Sequence, residues 1–430
     1  VTVSADLADE LTALVGRPGV ETRPEVLHRL SRDFSWLSPI LSRDLRSVPA
    51  SVAVSPEHTD QVADVLGFAY RRRLAVTPRG AGTSNYGQSV PMAPGIVLDT
   101  TRLTGISDID ADSVVVEAGV TFASLEEALS EHNREVAVMP STVTSTVAGF
   151  LSGGNQGIGS IEFGSIWDGW VRGLTVVGCV ENPEPVDITG DSMDRHLHAY
   201  GTTGIITRAR LCTAPKRERT VLFAAFDTLA AATRAGRELM DLPVPPRAIS
   251  VDDRAVWETF IAHDGHDGAV LLRAMLDVGT AEAARTITGA AGGRVTAIDD
   301  TAVRAMTSSV YNHSTLRAHR SDPRLAAVQI RGEAVVEHEK DVRAAFPDAR
   351  IHLDGNAPRR YGKGFSGLLL STWVDDETLT RGIEALRALG VVVVNPHTWL
   401  VGSHGGLDGY RAAAATFDPR GLLNPGKLMP

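Results

Sequence analysis

Pro78-Arg79-Gly80-Ala81-Gly82-Thr83-Ser84-Asn85-Tyr86-Gly87 stands directly after the strand-like LAVTP (74–78). Gly80, Gly82 and Gly87 permit a tight backbone with positive φ and outward N–H groups. Consecutive N–H groups on such a turn form a nest for phosphate oxygens. Thr83 and Ser84 add hydroxyl donors. The loop is not the GxGxxG dinucleotide fingerprint, which must open a helix, because Pro91 and Pro94 follow too soon. No Gly-Lys-Ser/Thr triplet offers a P-loop. An ordinary glycine turn has the same composition, so the loop alone names no ligand.

Working outward, the loop belongs to a β-α-β unit. SVAVS (51–55) reads as a strand, Pro56 to Tyr70 as a helix with Val62, Val65, Leu66 and Ala69 on one face, and GIVLD (95–99) as a further strand. Leu7, Leu11 and Leu14 recur at helical spacing after the possible cap Ser4, so residues 1 to about 47 read as small helices. SVVVEAGV (113–120) is a strand, and TFASLEEALSEHN (121–133) a helix capped by Thr121. Residues 140–166, PSTVTSTVAGFLSGGNQGIGSIEFGS and the residue after it, are almost all small or hydroxylated. That tract is too glycine-rich for a stable helix, and its apolar flanks argue that it lies against something flat and large. GLTVVGCV (173–180) and GIITRARL (204–211) resume the sheet.

After Lys216 strands and helices alternate: TVLFAAFD, a helix over 228–240, RAISVDD, AVLLRAML, a helix over 279–290, GLLLSTWV (367–374), a helix over 376–389 and VVVVN (391–395). The fold class expected is α+β, with residues 1–215, 216–390 and 391–430 as three successive parts.

The chain has 430 residues, more than one ordinary core holds. Apolar residues at 43% and charged ones at 22% suit a globular protein, and a net charge of −10 argues against a nucleic-acid partner. Arg71-Arg72-Arg73 reads as a solvated helix end. Cys179 and Cys212 lie in apolar, strand-like contexts and read as buried, inert thiols with no metal-ligand spacing. No basic region followed by an apolar stretch opens the chain, and no apolar run spans a bilayer, so no membrane partner and a cytoplasmic location are expected.

Three weaker signals accompany the loop: the small-residue tract, Gly201-Thr202-Thr203-Gly204-Ile205-Ile206-Thr207, and the rigid turn Asn424-Pro425-Gly426-Lys427. In this order, PRGAGTSNYG, the tract with its continuation IWDGWVRGLTVV, GTTGIIT and FDPRGLLNPGKL resemble the FAD-linked oxidases of the vanillyl-alcohol oxidase and p-cresol methylhydroxylase superfamily. The resemblance covers most of residues 48–215 plus the tail. It implies a two-part FAD-binding domain of the p-cresol methylhydroxylase type (1–215), an inserted α/β cap or substrate domain (216–390), and a C-terminal segment returning to the FAD domain (391–430). It places Arg79, Gly80, Ala81, Gly82, Thr83, Ser84 and Gly87 on the pyrophosphate. Pro140, Thr146, Gly149, Gly153, Gly154 and Asn155 would line the flavin, with Gly164 closing the segment. Ile206 would meet the adenine or ring edge through its backbone, and Asn424 and Lys427 would seal the far side.

Departures from the family pattern carry information. Thr83 stands where histidine-linked members have His, and 140–166 contains no Cys, so FAD is expected to be held non-covalently. GTTG replaces the acidic GSEG-like turn. HLDGNAPRRYGKG (352–364) is the segment nearest the metal motif of the family's 2-hydroxy-acid dehydrogenases, but Ala357 and Pro358 follow Asn356, so no metal site is expected.

The resemblance implies oxidation of a small organic substrate (an alcohol, an amine or an activated C–H) by hydride transfer to flavin N5. The electron acceptor is O2 or another molecule, and the oligomeric state stays open. His397, after a buried strand in Asn395-Pro396-His397-Thr398-Trp399, is a candidate general base because its ordinary pKa suits one; a structural strand cap is the alternative. Tyr311 and His313, two residues apart, would share one face of a strand and form the second catalytic candidate, or else a loop or helix cap. Arg359, Arg360 and Tyr361 are a third cluster, suited to an anionic substrate or to plain solvation. A flavin reductase related to the enolpyruvyl reductases and a non-catalytic flavin carrier share the same FAD-binding segments.

Overall fold

Val52, Ala53 and Val54 are all buried, as a continuous apolar run must be when both faces of the sheet are packed. They pair parallel to Gly95–Asp99, which pairs parallel to Ala75–Arg79. The computed structural model describes residues 5–259, 267–372, 375–394, 397–402 and 406–429. Helix Thr59–Arg72 makes the crossover, buries Val62, Val65, Leu66 and Ala69, and stops at Arg73, whose φ of 55° is left-handed. The arginine triplet therefore finishes a helix. With Val20–Glu21 these strands form a four-stranded sheet. Helices Ala5–Val15, Pro24–Leu30 and Pro39–Asp44 precede and surround it; Ser4 lies outside the described residues.

The second sheet runs Ile106–Ser107, Ser113–Glu117, Ile205–Pro215, Val171–Val177, Pro185–Ile188, with Arg134–Val136 also paired to Ile205–Pro215. Thr121 caps helix Phe122–Ser130, its hydroxyl accepting the Ser124 N–H at 3.2 Å. The glycine-rich tract corrects the expectation of no helix: Val147–Gly153 and Ser160–Phe163 are short helices. Thr146 caps the first, accepting the Gly149 N–H at 3.3 Å. Burial of Val147, Ala148, Phe150 and Leu151, with Phe150 edge-on to Phe122 at 5.4 Å, offsets the glycine cost.

The third sheet lies wholly within residues 219–394. Its strand order is Arg294–Asp299, Arg219–Phe226, Val270–Asp277, Ala248–Asp253, Arg350–Asn356, Gly364–Thr372, Leu325–Arg331, Val392–Val394. Helices Leu229–Leu239, Ala281–Ala290 and Asp376–Ala388 cover one face, packing against Leu222, Ile249, Val251, Leu272, Ile351, Leu353, Val328 and Ile330. The alternate residues of the same strands, among them Ser250, Asp252, Arg273, His352, Asp354, Gln329 and Arg331, occupy the other face. Val221, Ala248, Met275, Met306 and Val310 join the core of the first two sheets and fasten the third to them. The strands Arg294–Asp299, Leu325–Arg331 and Arg350–Asn356 carry polar residues at alternate positions and lie outside the sequence reading. Near its end the chain returns to the first sheet, where the Val76 N–H donates to Leu422 O at 2.8 Å and the Asn424 N–H to Val76 O at 2.7 Å.

Candidate active site

One cavity of about 670 Å³ takes part of its wall from residues 78–86, 140–156 and 198–206 and part from the third sheet. Among the described residues, no protein acceptor meets the backbone N–H groups of residues 81–85. Gly82 turns this row with φ 68°, and a Cβ there would stand 2.0 Å from Arg79 Nη2, so the guanidinium lies tight beneath the loop. Arg79 donates to Arg32 O at 2.6 Å, and no carboxylate among the described residues forms an ion pair with it. Burial pulls its pKa down against Asp99 and Asp33, and a guanidinium stays charged regardless. A row of free amides over an unpaired cation fits a pyrophosphate.

The loop rests directly on the small-residue tract. A Cβ on Gly80 would lie 2.1 Å from Thr146 Oγ1, and Thr83 Oγ1 is 2.7 Å from Ser145 Oγ. On its other side the Ser84 hydroxyl donates to Asp33 Oδ2 at 2.7 Å. His198 and Tyr200, each at φ 53°, and Gly201 at φ 70° coil the next segment against the tract, with His198 Nδ1 2.7 Å from Gly154 O.

Of the residues that the sequence assigned to the cofactor, Arg79, Gly80, Ala81, Gly82, Thr83, Ser84, Pro140, Thr146, Gly149, Gly153, Gly154, Asn155 and Ile206 line this cavity. Gly87, Gly164, Asn424 and Lys427 do not. Gly87 packs on Leu45, and Gly164 packs on Asp168. Asn424 acts one layer back, its amide donating to Gln88 O and Tyr200 O at 2.7 Å each; both of those residues line the cavity. Lys427 is buried with no hydrogen-bond partner for Nζ among the described residues, and burial, opposed by Asp33, pulls its pKa down to about 7.

The wall from the third sheet carries a buried chain of charges. Arg273 Nη2 lies 2.8 Å from Asp252 Oδ2, Asp252 Oδ1 lies 2.5 Å from His352 Nδ1, and His352 Nε2 lies 2.8 Å from Asp354 Oδ2. Burial disfavours the imidazolium, but the Asp354 and Asp252 carboxylates outweigh it and raise the His352 pKa to about 10. Both ring nitrogens face carboxylates. Asp354 Oδ2 also accepts the Tyr311 N–H at 3.0 Å, while its Oδ1 is buried without a partner among the described residues. Asp354 lines the cavity, as do Arg331, Gln329, Tyr361, Ser366 and Leu368.

The three catalytic candidates are dispersed. Tyr311 lines the cavity, donates from its hydroxyl to Gly157 O at 2.6 Å, and holds φ 52°. It precedes helix Asn312–Ser321, so Tyr311 and His313 do not share a strand face; that expectation is corrected. His313 is half-buried off the cavity, and burial lowers its pKa. His397 also stands off the cavity, with Nδ1 2.6 Å from Ser38 Oγ, and burial lowers its pKa to about 4. Asn395 and Pro396 lie outside the described residues, as do Trp373 and Val374 of GLLLSTWV. Arg359 and Arg360 are exposed, with Arg360 5.3 Å from the Tyr361 ring. Cys212 is half-buried rather than buried, its Sγ 2.8 Å from Arg172 Nε. Asp354 and Arg331 escaped the sequence reading, although the alternation of polar and apolar residues in IHLDGN and VQIR marks a two-sided strand.

Residues 50–179 match the FAD binding domain family, and residues 401–428 match the C-terminal domain of the FAD linked oxidases. A D-lactate dehydrogenase of Archaeoglobus fulgidus is 28% identical over 51% of this chain and 53% of its own length. That alignment spans about half of the relative. A glycolate oxidase subunit of Bacillus subtilis is 23% identical over 89% of each chain. The fold is similar to that of an alkyldihydroxyacetonephosphate synthase, with a TM-score of 0.77 at 17% identity over 98% of this chain and 86% of that one. Among the described residues no helix is long and apolar enough to cross a membrane.

Proposed function

The chain belongs to the FAD-linked oxidases of the vanillyl-alcohol oxidase and p-cresol methylhydroxylase superfamily, and from that premise we propose that it holds FAD non-covalently and dehydrogenates a small organic alcohol that carries an anionic group. The free amides of residues 81–85 and Arg79 hold the pyrophosphate. Pro140, Gly149, Gly153, Gly154, Asn155 and Ile206 stand beside the ring systems, and residues 216–390 act as the substrate cap. When bound, FAD supplies the hydride acceptor. The observation that carries this reading is the row of unpartnered amides opening on a cavity whose far wall is polar and charged. Arg331 supports the anionic group: it is half-buried on that wall, stacked 4.3 Å from the Tyr361 ring, and has no carboxylate partner among the described residues. Guanidinium groups in such a setting favour carboxylate or phosphate. The relatives named for lactate and glycolate agree in substrate chemistry.

Acid precipitation of the purified yellow protein tests the cofactor. Flavin in the supernatant is expected; flavin in the pellet overturns non-covalent attachment, and a colourless protein overturns FAD binding. Anaerobic bleaching by D-lactate, glycolate or D-2-hydroxyglutarate tests the reaction. Recolouring within seconds of admitting air then separates an oxidase from a dehydrogenase that needs another acceptor.

A further inference from the structure

Strand register sets a polar rung across the cap wall. Asp354 pairs with Ser366 on the next strand, and Ser366 pairs with Arg331 on the strand beyond. Residues directly opposite one another in antiparallel strands share a face, and all three line the cavity. Two strand spacings put the Asp354 and Arg331 backbones roughly 10 Å apart. Ser366 is tied down between them, accepting from Asn356 Nδ2 at 2.6 Å.

Asp354 is only 2% exposed, yet its Oδ1 has no partner among the described residues. A buried carboxylate oxygen left unpaired costs stability and needs a reason. Its other oxygen is held by the His352 ring and the Tyr311 N–H, so the side chain cannot turn to satisfy both oxygens at once. His352 is in turn fixed by Asp252, and Asp252 by Arg273. The arrangement fixes one oxygen and leaves the other buried and unpaired in a residue that lines the cavity.

We propose that Asp354 takes the hydroxyl proton of the substrate, and that Arg331 orients the substrate by pairing with its anionic group at the other end of the rung. The step balances as the oxidation of a secondary or primary alcohol. The O–H proton passes to Asp354 Oδ1, and the electron pair of that bond becomes the second C–O bond of the carbonyl product. The C–H hydrogen leaves with its pair as hydride, for which FAD, when bound, would be the two-electron acceptor. This rests on the function proposed above.

Holoprotein variants Asp354→Asn, Asp354→Glu and Arg331→Met separate the roles, with D-lactate, glycolate and D-2-hydroxyglutarate as probes and lactamide as the uncharged control. Asp354→Asn is expected to keep its flavin and to bind D-lactate, read from the flavin absorbance change, at least as tightly as the parent. Its anaerobic bleaching is expected to slow by about 100-fold or more, the contribution of a positioned base. Arg331→Met is expected to weaken binding of the anions far more than that of lactamide. The parent's bleaching rate should fall at acid pH along a one-proton limb. The charged and titratable groups around Asp354 are His352 and Tyr311, then Asp252 and Arg273, and Asp354→Glu should move the limb. Bleaching of Asp354→Asn at the parental rate overturns this role alone. So does a limb that Asp354→Glu leaves in place, which decides the matter even where the Asn variant loses its flavin. A parent that holds FAD but is bleached by none of the three anions overturns the alcohol reading and this inference with it.

Discussion

His352 and Asp354 sit two residues apart on one face of one strand, with Nε2 2.8 Å from Oδ2 and neither side chain more than 3% exposed. His352 is the cation that lies between two buried carboxylates, Asp252, which Arg273 also pairs, and Asp354. Replacing it by Asn removes the charge and keeps a donor. The expected loss is ~3–5 kcal/mol of unfolding free energy, the scale for breaking a buried pair from one side. Urea denaturation checks it, and a loss under ~1 kcal/mol would mean that the carboxylates are otherwise compensated.

The same cation gives that loss a pH dependence. The folded-state pKa of His352 is raised from 6.5 to about 10, so its stabilisation is fully present below pH 6.5 and fades as pH rises towards 10. The difference in stability between parent and His352→Asn should therefore shrink steadily across that interval. A difference that stays flat from pH 6 to pH 9 would show that His352 is neutral in the fold.

Lys427 has the opposite sign. Burial lowers its folded-state pKa from 10.5 to about 7, so the native state disfavours the ammonium and the unfolded chain binds more protons between those values. Stability from this group rises with pH over that window. Lys427→Met, which keeps the length of the side chain, is expected to stabilise the protein by ~2–3 kcal/mol below pH 7. The gain should vanish towards pH 10.5. A destabilising Lys427→Met at pH 6 would show that the ammonium has an anionic partner in the holoprotein.

Tyr311 faces the cavity, but its hydroxyl is already committed to Gly157 O, and burial first, then Asp354, pushes its pKa well up. A phenol so placed ties Gly157 to the segment beside the third sheet. Tyr311→Phe is expected to cost ~1–2 kcal/mol in stability through the orphaned carbonyl. Turnover should change by only a few-fold. A loss of bleaching of the size expected for Asp354→Asn would return Tyr311 to the chemistry.

The proposed cofactor side of the molecule was legible because backbone and side chains crowd together there. Glycines at 80 and 82 and small residues around 146 are demanded by close approach, and close approach leaves a mark in the sequence. The helix Val147–Gly153 was not legible, since its glycines argue against it and only the Thr146 cap and the packing of Phe150 reverse the balance. The cavity wall from the third sheet was harder still. Asp354 and Arg331 lie 23 positions apart on strands that are not adjacent in the sheet, and only the register through Ser366 brings them onto one rung. His397 illustrates the converse. A histidine after a buried strand has the chemistry of a base, but the Ser38 hydroxyl claims it from a helix near the other end of the chain.

Gly80 and Thr146 give the most direct check of how the loop and the tract fit together. A Cβ on Gly80 would meet Thr146 Oγ1 at 2.1 Å, with the Thr146 Cβ and Cγ2 at 3.3 and 3.4 Å. Gly80→Ala should therefore displace Thr146 from its cap on Val147–Gly153 and tilt the loop away from the tract, so the variant is expected to lose most of its FAD while staying folded. Thr146→Ala alone removes the cap and should cost ~1 kcal/mol. In the double variant the atom of the worst clash is gone and only the contact near 3.3 Å remains, which a shift of a few tenths of an ångström relieves. The two substitutions should then be strongly non-additive, with Thr146→Ala recovering part of the FAD retention that Gly80→Ala loses. Flavin-to-protein absorbance ratios after gel filtration measure this for the parent, both single variants and the double. Simple additivity would mean that Gly80 is needed for its own backbone freedom or for the approach of the ligand, and not because Thr146 leaves no room for a side chain.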